Sequence, residues 1–178
     1  MSSIFLISVC FFELLYKMEE QSKNKKIYTP KQAKLKAESY CAYQERSQQE
    51  VRDKLYGWGL HHDEVEDVIS ELITDNFLNE ERFAIAYAQG KLRMKGWGKI
   101  KIKHHLKNKR VSDPLIRIAL NALDIDEYIG ILKTIIDKKA GKDLSKLSML
   151  EKNKLIRHVL GKGFEQELIY GYILHGKT

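Results

Sequence analysis

The sequence predicts an all-α protein made of three tandem three-helix, helix-turn-helix-like repeats stacked into an elongated, curved array. Three observations carry that expectation. First, apolar residues recur at helical spacing nearly everywhere after Tyr28. Val65, Val68, Ile69 and Leu72 fall at i, i+3, i+4 and i+7, as do Ile116, Ala119, Leu120 and Leu123, whereas no stretch alternates with period two long enough to make a strand. Second, only two prolines interrupt the 178 residues, and proline breaks helix interiors. Third, one apolar frame occurs three times. Val51-x3-Leu55-x4-Leu60-x4-Val65-x3-Ile69 returns as Ile102, Leu106, Val111, Ile116 and Leu120, and again as Leu155, Val159, Phe164, Ile169 and Ile173. The offsets are 51 and 53 residues, and self-similarity at a near-fixed period marks stacked units too small to bury their own faces.

Taken in order, residues 1–28 form a non-globular amino-terminal segment. Ile4 to Phe12 is apolar apart from Ser8, but no Lys or Arg precedes Lys17, no small-residue cleavage site follows, and Glu13 interrupts the run. It therefore fits neither a secretory signal nor a membrane span, which needs about 20 apolar residues. Residues 1–17 are read as a mis-called start with Met18 as initiator, the rival readings being a weak membrane anchor and an extra packing helix; a flexible polar tract from Glu19 to Lys26 follows. No membrane association is expected. Repeat 1 (29–77) opens at Thr29-Pro30, an N-cap with proline at the first helical position, and carries a long helix over about 30–44. Ser47-Gln48-Gln49-Glu50 is a capping box that starts its second helix, and Gly59 ends that helix in a left-handed conformation. Repeat 2 (78–123) has its long helix over about 80–95. Repeat 3 (124–178) starts at a second capping box, Asp124-Ile125-Asp126-Glu127. A long helix over about 126–139 follows, then a Gly/Ser/Lys connector at 141–148, and Gly163 matches Gly59.

Composition is that of an ordinary globular protein, with 43% hydrophobic and 31% charged residues, and 31 Lys+Arg against 24 Asp+Glu give a net +7. Two cysteines, Cys10 and Cys41, cannot staple a chain of this size, and no zinc-type spacing exists; a reducing, cytoplasmic setting is expected. The charges are segregated. His61 to Glu81 holds eight acids and no Lys or Arg, whereas Lys91 to Arg110 holds nine basic residues and no acid, with Trp97 inside the run. Cations with an interleaved aromatic are the footprint of a phosphate-backbone contact. The bland alternative, solvated outer faces of helices, fits any single run equally well.

Catalytic signatures are missing. The pairs Gly57/Gly59, Gly96/Gly98 and Gly161/Gly163 follow no strand and complete no dinucleotide fingerprint, and Gly176-Lys177-Thr178 lacks the rest of a phosphate loop. His61-His62 and His104-His105 point about 100° apart on a helix and do not chelate. Glu64, Asp67 and Glu71 share one helix face, where a solvated acidic surface is a better account than a magnesium nuclease site. Cys41 has no base near it in sequence. No catalytic residue, metal or cofactor is expected.

Leu78-Asn79-Glu80-Glu81-Arg82-Phe83-Ala84 resembles the leucine–asparagine–acid–x–Arg-Phe-Ala signature of the RecX family, bacterial regulators of the recombinase RecA. Gly96-x-x-Lys99-Ile100-x5-Leu106-x3-Arg110-Val111 is similar to a second string of that family, and Arg46-Ser47-x-x-Glu50-Val51-x3-Leu55 to the opening of its first repeat. The resemblance spans about 31–174. It departs at Arg110, where the family often has glycine, and matches the third repeat loosely. It implies a crescent of three repeats that binds the RecA–single-stranded-DNA filament, modulates and mainly inhibits recombinase activity in DNA repair and recombination, and is not an enzyme. A monomer is expected, meeting single-stranded DNA through the filament or by weak direct contact. The candidate contact residues are Arg82, Lys91, Arg93, Lys95, Trp97, Lys99, Lys101, Lys103, Lys107, Lys109 and Arg110. Phe83 and Ala84 are assigned to the core. Arg82 is either paired locally with Asp75 or Glu80 or directed at a partner. Trp97 is either a wedge between repeats or an exposed anchor. The alternative function is an autonomous helix-turn-helix DNA-binding protein, which requires base preference without a protein partner.

Overall fold

Among residues 27–141 and 143–175, which the computed structural model describes, nine α-helices and one short 3-10 turn occur and no strand. The helices are α1 (Pro30–Tyr43), α2 (Gln48–Gly57), α3 (His62–Thr74), α4 (Glu80–Lys95), α5 (Lys99–Asn108), α6 (Asp113–Asn121), α7 (Ile125–Ala140), α8 (Met149–Lys162) and α9 (Gln166–His175). The expected mis-start at 1–17, the tract from Glu19 to Lys26 and Gly176-Lys177-Thr178 lie outside the described residues. The all-α expectation holds, with three successive helix triplets. Of the fifteen apolar positions of the threefold frame, fourteen are buried, and Leu120 is half-buried against the core.

Two compact units result: residues up to 42 together with 51–77, and 43–50 together with 78 onward. In the first unit, Ala33, Ala37 and Cys41 repeat every four residues along α1 and are buried, a stripe of small side chains that permits close backbone approach. Val51 and Leu55 of α2, Leu60, and Val65, Val68, Ile69 and Leu72 of α3 complete its buried set. Tyr28 is packed here too: its ring meets Trp58 edge-on at 5.9 Å, and its N–H donates to the Trp58 carbonyl at 3.1 Å.

The second unit has one continuous core running from Phe83 through Tyr128 and Phe164 to Ile173. Within it α4 packs chiefly on α6, α5 on both, α7 on α4 and α8, and α8 on α9. Helix ends follow the local chemistry expected of them. Thr29 and Gln32 cap α1 reciprocally at 3.3 and 3.4 Å, and Ser47 and Glu50 do so for α2 at 3.0 and 3.2 Å. At α7 only half of the expected box forms. The Asp124 carboxylate accepts the Glu127 N–H at 2.7 Å, but the Glu127 side chain turns to Arg93, because a bidentate charged pair outcompetes a single backbone bond. The connector 141–148 holds a 3-10 turn, Leu144–Lys146, and a box that sequence inspection passed over, Ser148 with Glu151, which starts α8.

The start of α5 is fixed onto the turn between α8 and α9. The Gly98 N–H donates to the Lys162 carbonyl at 2.9 Å and the Ile100 N–H to the Gly163 carbonyl at 3.0 Å. The Lys99 N–H donates to the Tyr128 hydroxyl at 3.0 Å, which in turn donates to Glu165 at 2.5 Å. A Cβ on Gly98 would lie 2.2 Å from the Gly163 oxygen, and one on Gly163 would lie 2.3 Å from the Lys101 Cβ. Only glycine permits this approach.

Candidate nucleic-acid and partner interface

The basic run divides between two surfaces of the second unit. Lys91, Lys95, Trp97 and Lys109 line an open groove of about 730 Å³, together with Glu45, Glu50, Phe83, Tyr87, Met94 and His105. Trp97 is half-buried against the core and stacks on His105 with ring centres 4.4 Å apart. The ammonium groups of Lys91 and Lys101 lie 5.3 and 5.1 Å from its ring centre, and that of Lys91 is also 4.9 Å from Tyr87, within cation–π range. Trp97 is thus both a core element and a groove wall. Lys99 sits 5.0 Å from the Tyr128 ring. The second surface is the outward side of α5, where Lys103, Lys107 and Arg110 are exposed.

Some of the candidates are held by carboxylates. Arg93 grips Glu127 bidentately at 2.7 and 2.9 Å, Lys107 pairs with Asp113 at 3.0 Å, and Lys109 pairs with Glu50 at 2.8 Å. Arg82, for which the sequence offered Asp75 and Glu80, is paired with Glu45, and its N–H is accepted by the Asn79 side chain at 2.9 Å. Phe83 and Ala84 are buried as expected. Among the described residues, no carboxylate lies within ion-pair distance of Lys91, Lys95, Lys99, Lys101, Lys103 or Arg110. Lys101 instead donates to the Gly161 carbonyl at 3.2 Å.

Titration follows these surroundings. Burial of Glu50 disfavours its charge, but the Lys109 ammonium and the Ser47 cap outweigh that and hold its pKa below the usual carboxylate value. Hydrogen bonds from Arg93 and Lys107 lower Glu127 and Asp113. Burial, then His104 and the lysines 101, 91 and 109, depress His105, so a neutral imidazole faces the indole at neutral pH. Burial and Glu50 raise Tyr87. Tyr87, Met94 and His105 were missed in the sequence. Phe83, Tyr87, Lys91 and Met94 recur at spacings of four, four and three, a face that a helical wheel displays.

The acidic run is arranged differently. Lys34 from α1 bridges Glu71 at 2.6 Å and Asp75 at 2.9 Å, and Arg52 from α2 takes Glu66 at 2.6 and 2.8 Å. Lys34 also lies with Glu64, Asp67 and Glu71 in a shallow pocket between α1 and α3. Among the described residues no His, Cys, Asp or Glu group is arranged to hold a metal ion, and no helix is long and apolar enough to cross a membrane.

Two family models match the chain: RecX, first three-helix domain, over residues 33–72, and RecX, second three-helix domain, over residues 79–120. Regulatory protein RecX of Bacillus cereus (strain B4264) is 32% identical over 138 residues, 77% of this chain and 51% of that protein. Regulatory protein RecX of Lactobacillus johnsonii is 32% identical over 152 residues, 85% of this chain and 56% of that protein. The chain spans about half the length of the curated relatives it matches. The crystal structure of RecX from Lactobacillus salivarius superposes with a TM-score of 0.73 at 25% identity, covering 82% of this chain and 95% of that one. A second, the crystal structure of regulatory protein RecX, gives 0.67 at 20% identity and shares the fold. With the Arg82-Phe83-Ala84 signature on α4, both three-helix domains in register and a helical repeat architecture in common with solved members, the chain belongs to the RecX family.

Proposed function

We propose that this chain is a non-enzymatic regulator that binds the RecA–single-stranded-DNA filament and modulates, chiefly by inhibition, recombinase activity in DNA repair and recombination. The observation that carries it is the set of six cations in the middle repeat with no carboxylate partner among the described residues. Three acids neutralise neighbouring members of the same run, so the absence of partners for the remainder leaves a local excess of positive charge. Such an excess accelerates encounter with a polyanion and adds a salt-dependent term to affinity. The aromatic groove beside it offers Tyr87, Trp97 and exposed Met94 to a protein surface. Family membership supports the regulatory role, and the sequence departs from any catalytic pattern.

The test is the single-stranded-DNA-dependent ATPase of the cognate recombinase titrated with this protein. The rate is expected to fall, and an unaffected rate at stoichiometric amounts contradicts the proposal.

A further inference from the structure

The threefold frame supplies an internal control at one backbone position. The residue before Leu60, Val111 and Phe164 is in the left-handed region in every repeat: Gly59 at φ 92°, Arg110 at φ 60° and Gly163 at φ 86°. The Leu60 N–H donates to the Leu55 carbonyl at 3.3 Å and the Val111 N–H to the Leu106 carbonyl at 3.2 Å, and Leu60, Val111 and Phe164 are all buried, so the fold imposes the geometry. Glycine adopts this conformation freely and an L side chain does not. The middle repeat alone holds a side chain there, and that side chain is an arginine.

Arg110 is exposed and has no carboxylate within ion-pair distance among the described residues. It follows a stripe: Lys99, Lys103 and Lys107 stand at i, i+4 and i+8 on one side of α5, spanning about 12 Å of axial rise, and Arg110 lies just past the helix end. Arg117, exposed one turn along α6 from Asp113, adds a fifth cation. One carboxylate, Asp113, lies among them, near Lys103 and Arg117 as well as its partner Lys107. A cation also suits the negative end of a helix, but Lys107 and Lys109 already occupy the end of α5, so the helix itself does not call for Arg110. A strained residue kept where its two counterparts are glycine points to use of its side chain.

We propose that the outward stripe of α5, with Arg110 just past its end, takes the phosphodiester backbone of a DNA strand, and that Arg110 is a contact retained against the conformational preference of its position. The strand is single under the function proposed above, on which this inference rests.

The experiment uses the full chain without recombinase: anisotropy of a labelled oligo(dT) between about 50 and 200 mM salt, with thermal melts, for wild type, Arg110→Gly and Arg110→Lys. Arg110→Gly is expected to melt higher by roughly 2–4 °C as strain is released. It should bind severalfold more weakly, with a slope of log K against log[salt] shallower by about 0.7, the loss of one phosphate contact on a single strand. Arg110→Lys should keep the wild-type slope and melting point. Overturning results are an Arg110→Gly variant with unchanged affinity and slope, one that melts lower than wild type, no wild-type binding to oligo(dT) at low salt, or tighter binding to a duplex of equal length. The recombinase ATPase separates the two claims. Intact oligo(dT) binding with an unaffected ATPase sinks the regulatory role and leaves the contact standing.

Discussion

In the acid-only run of the first unit, Lys34 and Arg52 arrive from neighbouring helices and engage Glu66, Glu71 and Asp75. In the base-only run of the second unit, Glu50, Asp113 and Glu127 engage Lys109, Lys107 and Arg93, yet six further cations have no such partner among the described residues. The runs look like mirror images in sequence. Three members of each run are held by opposite charge, so ion pairing does not separate them; what does is the setting, since the basic run gathers cations around the aromatic rings of Tyr87 and Trp97. The basic run is also fastened: its helix begins on three backbone hydrogen bonds to the α8–α9 turn and Tyr128, so its charges are presented from a fixed frame.

That comparison can be broken first at the frame. Gly163→Ala forces a Cβ to within 2.3 Å of the Lys101 Cβ at a φ of 86°, and a loss of about 3 kcal/mol or more is expected in denaturant unfolding. Gly161→Ala, with nothing within 4 Å of the added Cβ, should gain up to about 0.5–1 kcal/mol; equal effects would mean that α5 is not anchored there. Next in size is charge. Reversing Lys99, Lys101, Lys103 and Lys107 to Glu should weaken filament binding about 100-fold with helix content unchanged by circular dichroism. Neutralising Glu64 and Asp67 to Gln and Asn should alter it less than about twofold. Comparable losses from both sets would erase the distinction between the runs.

Tyr128→Phe removes the bond to Glu165 and the acceptor for the Lys99 N–H, both at a buried site. About 1–3 kcal/mol of stability should go with it, measurable by chemical denaturation. Lys109→Ala should cost about 1 kcal/mol, because it removes the ion-pair partner of a half-buried Glu50, which keeps its bonds from Ser47. The pH dependence gives the sign. Glu50 has a lowered folded pKa, so its contribution is full above the unfolded value near 4.3 and fades as pH falls through the folded one. The stability gap between wild type and Lys109→Ala should therefore close below about pH 4; a gap independent of pH would place the effect elsewhere.

Helix positions were legible because they are set locally. Proline at N1, the Ser47 box, Gly59 and Gly163 act within four residues of themselves, and the repeated apolar frame already contained the buried set. Contacts distant in sequence were not legible. Glu127 looks like a capping residue until Arg93, 34 positions away, is brought against it, and Lys109 looks free until Glu50, 59 positions away, reaches it. The division of the basic run between two surfaces was not legible either, because nine cations in twenty residues say nothing of azimuth. Lys91 lies over the Trp97 ring in the groove and Lys101 over the same ring outside it, while Lys103 and Arg110 are exposed. Arg110 was visible as an odd residue after a helix, but its positive φ needed the fold.

The most direct test of the central claim is titration of a preformed recombinase–single-stranded-DNA filament with wild type and with the fourfold Lys99/Lys101/Lys103/Lys107→Glu variant, repeated as salt rises. Tight wild-type binding that weakens steeply with salt is expected, together with a variant that stays folded and binds about 100-fold more weakly. A folded variant that binds the filament as tightly as wild type, with the same salt dependence, would contradict it.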